Sequence, residues 1–147
     1  MSAIQRVHGH VATDPTTGHA IIVDFTRVPS VRDADLAPLA DLPYLEKVKF
    51  DDAPVGNEAV APLANLKQLK TLSLRGTKIT DAGMVHLQKL PSLTELDLER
   101  LPITDQGLVA LGPIKTLHRV YISSKEVTSA GIDALKAENP RVNVSRK

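Results

Sequence analysis

Glu95, Asp97 and Glu99 stand at alternate positions, the spacing that sets three carboxylates on one side of a β-strand. The same alternation recurs at Lys47, Lys49 and Asp51, at Thr71, Ser73 and Arg75, and at Arg119, Tyr121 and Ser123. Side chains so placed can do one of two things. They can hold charged and polar groups of a partner, with Tyr121 as the single aromatic anchor. Or they can satisfy one another across strands, Arg75 with Glu99 and Glu95 with Arg119, for roughly 0–1 kcal/mol a pair. Tyr121 alone cannot make a stacking platform, which argues against single-stranded nucleic acid and against a carbohydrate site built on rings.

Two other groups of residues invite a chemical reading. His8 and His10 share one side of a short extended stretch, with His19 across a turn and Asp14 nearby, a set with metal-ligand chemistry. The competing reading, and the preferred one, is an end cap with incidental histidines. Ser123-Ser124-Lys125 offers a serine with a nearby lysine. No glycine elbow or oxyanion loop accompanies it, so it reads as turn chemistry. No phosphate-binding glycine loop occurs either. No cofactor is expected, and the chain is expected not to be an enzyme.

The elements that position these residues follow from a period of 24, seen in Leu42, Leu66, Leu90 and Ile114 and again in Leu45, Leu69, Leu93 and Leu117. The strand columns are Val48, Leu72, Leu96, Val120 and Phe50, Leu74, Leu98, Ile122. Three further columns follow them: Val55, Ile79, Ile103, Val127; Val60, Met84, Leu108, Ile132; and Leu63, Leu87, Leu111, Leu135. Each unit therefore holds a strand with two inward side chains, then a convex segment. Stacked units pair their strands in parallel at about 4.8 Å, which turns the alternate outward residues into rows. An incomplete unit precedes them, with Val23 and Phe25 one residue early.

Several local features refine that plan. Thr80, Thr104 and Thr128, or the Asp or Ser after each, are expected to cap the convex helices. The column Ala59, Gly83, Gly107, Gly131 is small throughout, and glycine costs a helix about 1 kcal/mol, so a close approach of backbone is expected there. Pro38 and Pro62 make the first two convex segments late-starting, single-turn or 3-10, and the later three should be regular helices. The residues just past the strands, at the same step of 24, are Ala53, Thr77, Leu101 and Lys125, none of them an asparagine. The turns must satisfy their backbone in another way.

These residues resemble the leucine-rich repeat family, bacterial repeats with a Thr-Asp-x-Gly-Leu helix start and the helix-backed, ribonuclease-inhibitor-like branch. The resemblance implies an α/β leucine-rich repeat solenoid, a short right-handed β-α superhelix with a parallel concave sheet and convex helices or 3-10 turns. It also implies protein recognition through the concave face without catalysis. One domain over 1–147 is expected, with an N-terminal cap at 1–19, a degenerate repeat at 20–41, regular repeats at 42–135 and a C-terminal cap at 136–147. About five or six strands should form the sheet, with a hairpin or extended cap at the start.

Composition bounds the rest. The 147 residues carry a net charge of +1, which argues against nucleic acid or a membrane surface as partner. Aromatic content is 3%, so the core must be aliphatic. Cysteine is absent, which fits a reducing compartment, and no apolar run approaches transmembrane length, so a soluble, cytoplasmic protein is expected. The expected partner is another protein, the chain itself being a monomer or weak homo-oligomer. The alternatives are a structural role, with self-association through end strands or cap, and a metal site at His8, His10 and His19.

Overall fold

The computed structural model describes residues 2–147. A single sheet runs through them, in the strand order β1 (His10–Thr13), β2 (Ala20–Asp24), β3 (Lys47–Lys49), β4 (Thr71–Ser73), β5 (Glu95–Leu98), β6 (Arg119–Ile122) and β7 (Asn143–Arg146). The first pair is antiparallel and every later pair parallel. Seven strands exceed the five or six expected, because the cap hairpin and the unfinished last unit both join the sheet. A short helix, α1 (Ser2–Arg6), precedes the hairpin. Nothing in the sequence signals it.

Register follows the 24-residue period. Val48 faces Leu72, Leu72 faces Leu96 and Leu96 faces Val120. Val23 faces Val48, so the incomplete unit does enter the sheet one residue early. The inward side chains of these strands are fully buried in one continuous aliphatic core. At its N-terminal end the core holds the two phenylalanines, Phe25 and Phe50, with ring centroids 5.7 Å apart and planes 8° from parallel. Gly9 lies against the Phe25 ring, where a Cβ would come within 2.5 Å of Cε1.

The convex side carries helices and 3-10 turns, but the later three segments are less regular than expected. Asp33–Asp41 and Asn57–Asn65 are 3-10 throughout, as Pro38 and Pro62 require. The later segments are α2 (Asp81–Met84), continued as 3-10 over Val85–Leu87, then α3 (Asp105–Val109) and α4 (Ser129–Glu138). Only α4 is a regular helix of the expected kind. A mid-helix glycine in segments this short leaves little propensity to extend them. No helix among the described residues is long and apolar enough to cross a membrane.

Units are joined by a ladder of side chains on this convex edge. Asp33 accepts from the Gly56 amide (2.8 Å), Asn57 from the Thr80 amide (2.9 Å), Asp81 from the Thr104 amide (2.8 Å) and Asp105 from the Thr128 amide (2.7 Å). The threonine hydroxyls join in: Thr104 and Thr128 donate to the same aspartates at 2.5 and 2.6 Å, and Asn57 Nδ2 donates to Thr80. The expected within-unit caps are thereby corrected. Thr80, Thr104 and Thr128 do occupy N-cap positions, yet only Thr104 caps its own helix, accepting from the Gln106 amide at 3.2 Å. At Thr80 and Thr128 the side chain of the unit before instead bonds the amide of the capping residue itself.

That ladder also explains the small column. A Cβ on Gly83 would come within 2.7 Å of Asn57 Oδ1, and one on Gly107 or Gly131 would overlap the carboxylate of Asp81 or Asp105. The close approach is therefore chiefly of a side chain. The turns after the strands, without an asparagine ladder, continue the sheet bonding for one more residue: Asp52 N–H donates to the Arg75 carbonyl at 2.8 Å and Gly76 N–H to the Glu99 carbonyl at 3.0 Å. At the far end the Ser123 hydroxyl substitutes for a carbonyl, accepting from the Arg100 amide at 2.7 Å.

Candidate functional site

The parallel register brings the outward strand residues into three rows. Lys47, Thr71, Glu95 and Arg119 form one, continued by Asn143; Lys49, Ser73, Asp97 and Tyr121 form the second, continued by Ser145. Asp51, Arg75, Glu99 and Ser123 lie just past the strand ends in the third, with Lys147 next in step. All twelve expected face residues are thus together. The face is polar and mostly half-buried, with Ser73 and Glu99 the most enclosed of the set.

Its charges largely pair with each other. Arg119 Nη1 lies 3.5 Å from Glu95, Arg75 Nε 3.9 Å from Glu99, and Lys49 Nζ 3.7 Å from Asp24. Glu99 has a second cation, Lys147 Nζ, at 3.2 Å from Oε1. No donor reaches that oxygen in hydrogen-bonding geometry, so the contact is ionic only. The Lys147 ammonium also sits 5.0 Å from the Tyr121 ring centroid. Among the described residues no cation bridges two of the central carboxylates: Asp51 accepts from the Ser73 hydroxyl, and Asp97 accepts from the Glu99 amide at 2.9 Å. Burial pushes the Asp97 carboxyl above its ordinary value, and the neighbouring charges of Glu99 and Asp51 push the same way.

That shift has a direction in pH. The fold disfavours ionised Asp97, so protonation of this group stabilises it over the window between the ordinary carboxylate value, about 3.9, and the raised one. Asp105 behaves oppositely: the Thr128 hydroxyl and amide hold its carboxyl low, and that stabilisation is lost as pH falls through the lowered value. Asp97→Asn should therefore melt above the wild type at pH 7. The gap should close as pH falls below about 4, where Asp97 is protonated in both states. Thermal melts of both proteins from pH 7 to pH 3 check this; a variant melting lower at pH 7 contradicts it.

Beside the third row lies a hollow of about 250 Å³ lined by Thr26, Arg27, Asp51, Asp52, Arg75 and Arg100. Arg27, Asp52 and Arg100 have left-handed backbones (φ 57°, 60° and 57°), as does Gly76 (φ 67°). Arg100 Nη2 reaches Asp52 Oδ1 at 2.5 Å over Gly76, where any Cβ would overlap the Asp52 carboxylate. Arg27 approaches the same carboxylate at 3.9 Å. The sequence signal for these residues was the column Asp52, Gly76, Arg100, with a residue lacking a side chain between two of opposite charge.

The histidines are dispersed. His8, with φ 64°, and His10 line one hollow with Val28 and Pro29, while His19 stacks on Tyr44 at 4.0 Å in another. Asp14 is committed to its turn, accepting from the amides of Thr16 and Thr17 at 2.8 and 2.7 Å. No group of three metal-capable side chains converges among the described residues. Ser123 and Ser124 are likewise engaged, the latter donating to the Ile103 carbonyl at 2.7 Å.

Comparison with known proteins agrees with the repeat. Residues 66–87 and 89–112 each match the leucine-rich repeat family model. No curated protein matches the chain in sequence. Among solved structures, the PEPR1-AtPEP1 crystal structure is similar over 92% of this chain, at 18% identity and a TM-score of 0.55. An internalin (inlF) from Listeria monocytogenes str. 4b F2365 is similar over 85%, at 15% identity and a TM-score of 0.43. This chain spans 19% of the first and 47% of the second. Period, register and matched units coincide, and the chain is a leucine-rich repeat solenoid of the α/β class.

Proposed function

We propose that the concave face binds another protein without catalysis. The observation that carries this is the register, which gathers Lys47, Lys49, Asp51, Thr71, Ser73, Arg75, Glu95, Asp97, Glu99, Arg119, Tyr121 and Ser123 into three rows on one surface. A polar, charge-patterned face with one aromatic suits a partner of complementary charge and gives specificity through pairing. The rest of the described surface offers little apolar area, with only Tyr44 and Val85 as exposed large hydrophobics. The serine hydroxyls that would serve a nucleophile are bonded to backbone, which favours binding over catalysis.

The test is capture from the native host of proteins bound by wild type, by a concave variant (Asp97→Lys, Tyr121→Ala) and by a convex control (Asp133→Lys, Lys136→Glu). Any captured protein is then purified and its affinity measured by calorimetry. The expected result is a partner kept by wild type and convex control, weakened at least tenfold, about 1.4 kcal/mol, by the folded concave variant. Equal affinity for all three overturns the reading.

A further inference from the structure

The concave face binds one of this chain's own cations in a way that defines what it can recognise. The third row reads Asp51, Arg75, Glu99, Ser123, Lys147. Ser123 is small, so Lys147 reaches past it, across two strand spacings or about 10 Å, to the Glu99 carboxylate. On the way the ammonium passes over the Tyr121 ring. A carboxylate on one side and an aromatic face on another is the arrangement that holds an ammonium, by charge pairing and by the negative potential of the ring face. The Glu99 side chain is only 7% exposed, and its Oε1 has the ion pair but no hydrogen bond. The Lys147 side chain is 64% exposed. One partner is buried; the other is open to solvent.

We infer that Glu99 and Tyr121, with Asp97 beside them in the neighbouring row, form a recognition site for the primary ammonium of a lysine-bearing segment of a partner protein, and that Lys147 is its intramolecular placeholder. The inference rests on the concave-face reading and deepens it. Around the site three carboxylates, Asp51, Asp97 and Glu99, meet two cations, Arg75 and Lys147, and among the described residues Glu99 alone of the three has a basic partner within salt-bridge distance. Exchange with an incoming lysine keeps both cations on the buried Glu99, Arg75 and an ammonium, whereas a neutral or acidic ligand would leave it with Arg75 alone, at 3.9 Å. The carboxylates do not converge as metal ligands do, so an organic cation fits and a bare divalent ion does not. Asp97, whose ionised form the fold disfavours, would gain from a cation placed above it.

The probe is tetralysine, with its fully Nε-acetylated form as the neutral control, titrated into the whole chain and followed by amide chemical shifts. Tetralysine should move the signals of Asp97, Glu99 and Tyr121, and the acetylated peptide should not. Lys147→Gln, an exposed change, should bind tetralysine about five-fold more tightly, because the placeholder is gone. Glu99→Gln should bind at least about five-fold more weakly, the loss expected for one ammonium–carboxylate pair. The inference is overturned if the acetylated peptide binds equally, if Lys147→Gln binds no more tightly, or if the shifts fall elsewhere. Should a captured partner depend on the concave face while tetralysine leaves it unmoved, the binding face stands and its preference for ammonium falls.

Discussion

Gly107→Ala should destabilise the protein by about 2–4 kcal/mol, against the usual sign. Alanine in place of glycine inside a helix ordinarily gains about 1 kcal/mol, and Gly107 lies within α3. Here the added methyl would overlap the Asp81 carboxylate and approach Asp81 Cα at 3.3 Å. Asp81 cannot simply turn away, because its two oxygens accept from the Thr104 amide at 2.8 Å and the Thr104 hydroxyl at 2.5 Å. Overpacking costs about 1–3 kcal/mol, and loss of hydrogen bonds to a charged acceptor about 1.5–3 kcal/mol each. These terms outweigh the propensity gain. Urea denaturation measures the outcome, and a stabilised Gly107→Ala would contradict the account. Combining it with Asp81→Ala separates the causes: Gly107→Ala should cost much less in the Asp81→Ala background than in the wild type, since the carboxylate overlap is gone.

The second large effect is expected at Phe50. Its ring is fully buried and stacked on Phe25, which in turn lies against Gly9 and the cap. Truncation to alanine should cost about 3–5 kcal/mol, a large share of the roughly 5–15 kcal/mol typical of a whole domain. The loss should not be evenly spread. Amide exchange in β1 and β2 should accelerate more than in β5 and β6, since only the former rest on the Phe25–Phe50 pair. Leu96→Ala, in the middle of the sheet, is the comparison. If both variants accelerate exchange equally at the two ends, the aromatic pair is not what holds the cap.

The architecture was legible because its causes repeat. Buried Leu, Ile and Val recur at one spacing, so Val48, Leu72, Leu96 and Val120 had to share a column, and even the early placement of Val23 was readable. Pro38 and Pro62 announced the 3-10 segments, because a proline there forbids regular helix. The ladder was misread. Caps at Thr80, Thr104 and Thr128, or at the Asp or Ser after each, were expected within each unit because a helix cap is usually local, whereas Asp33, Asn57, Asp81 and Asp105 bond the neighbouring unit. The glycine column was expected to mark a close approach of backbone, and what crowds it is a side chain of the unit before, the Asn57 amide at Gly83 and a carboxylate at Gly107 and Gly131.

For the face, the three rows and the pairs Arg75–Glu99 and Glu95–Arg119 followed from the period. The place of Lys147 in the third row was not drawn from it, although that residue stands 24 residues after Ser123. The Asp52–Arg100 contact was also missed. It spans 48 residues and depends on the absence of a side chain at Gly76.

The ladder has a direction. In every rung the carboxylate or amide side chain belongs to the earlier unit and the capped backbone to the later one: Asp33 to Gly56, Asn57 to Thr80, Asp81 to Thr104, Asp105 to Thr128. A chain emerging from a ribosome presents its N-terminal part first. Each unit therefore leaves behind a ready acceptor for the convex segment still to be made, and none has to wait for a later one to complete its start. The array can grow vectorially, every finished turn acting as the template for the next.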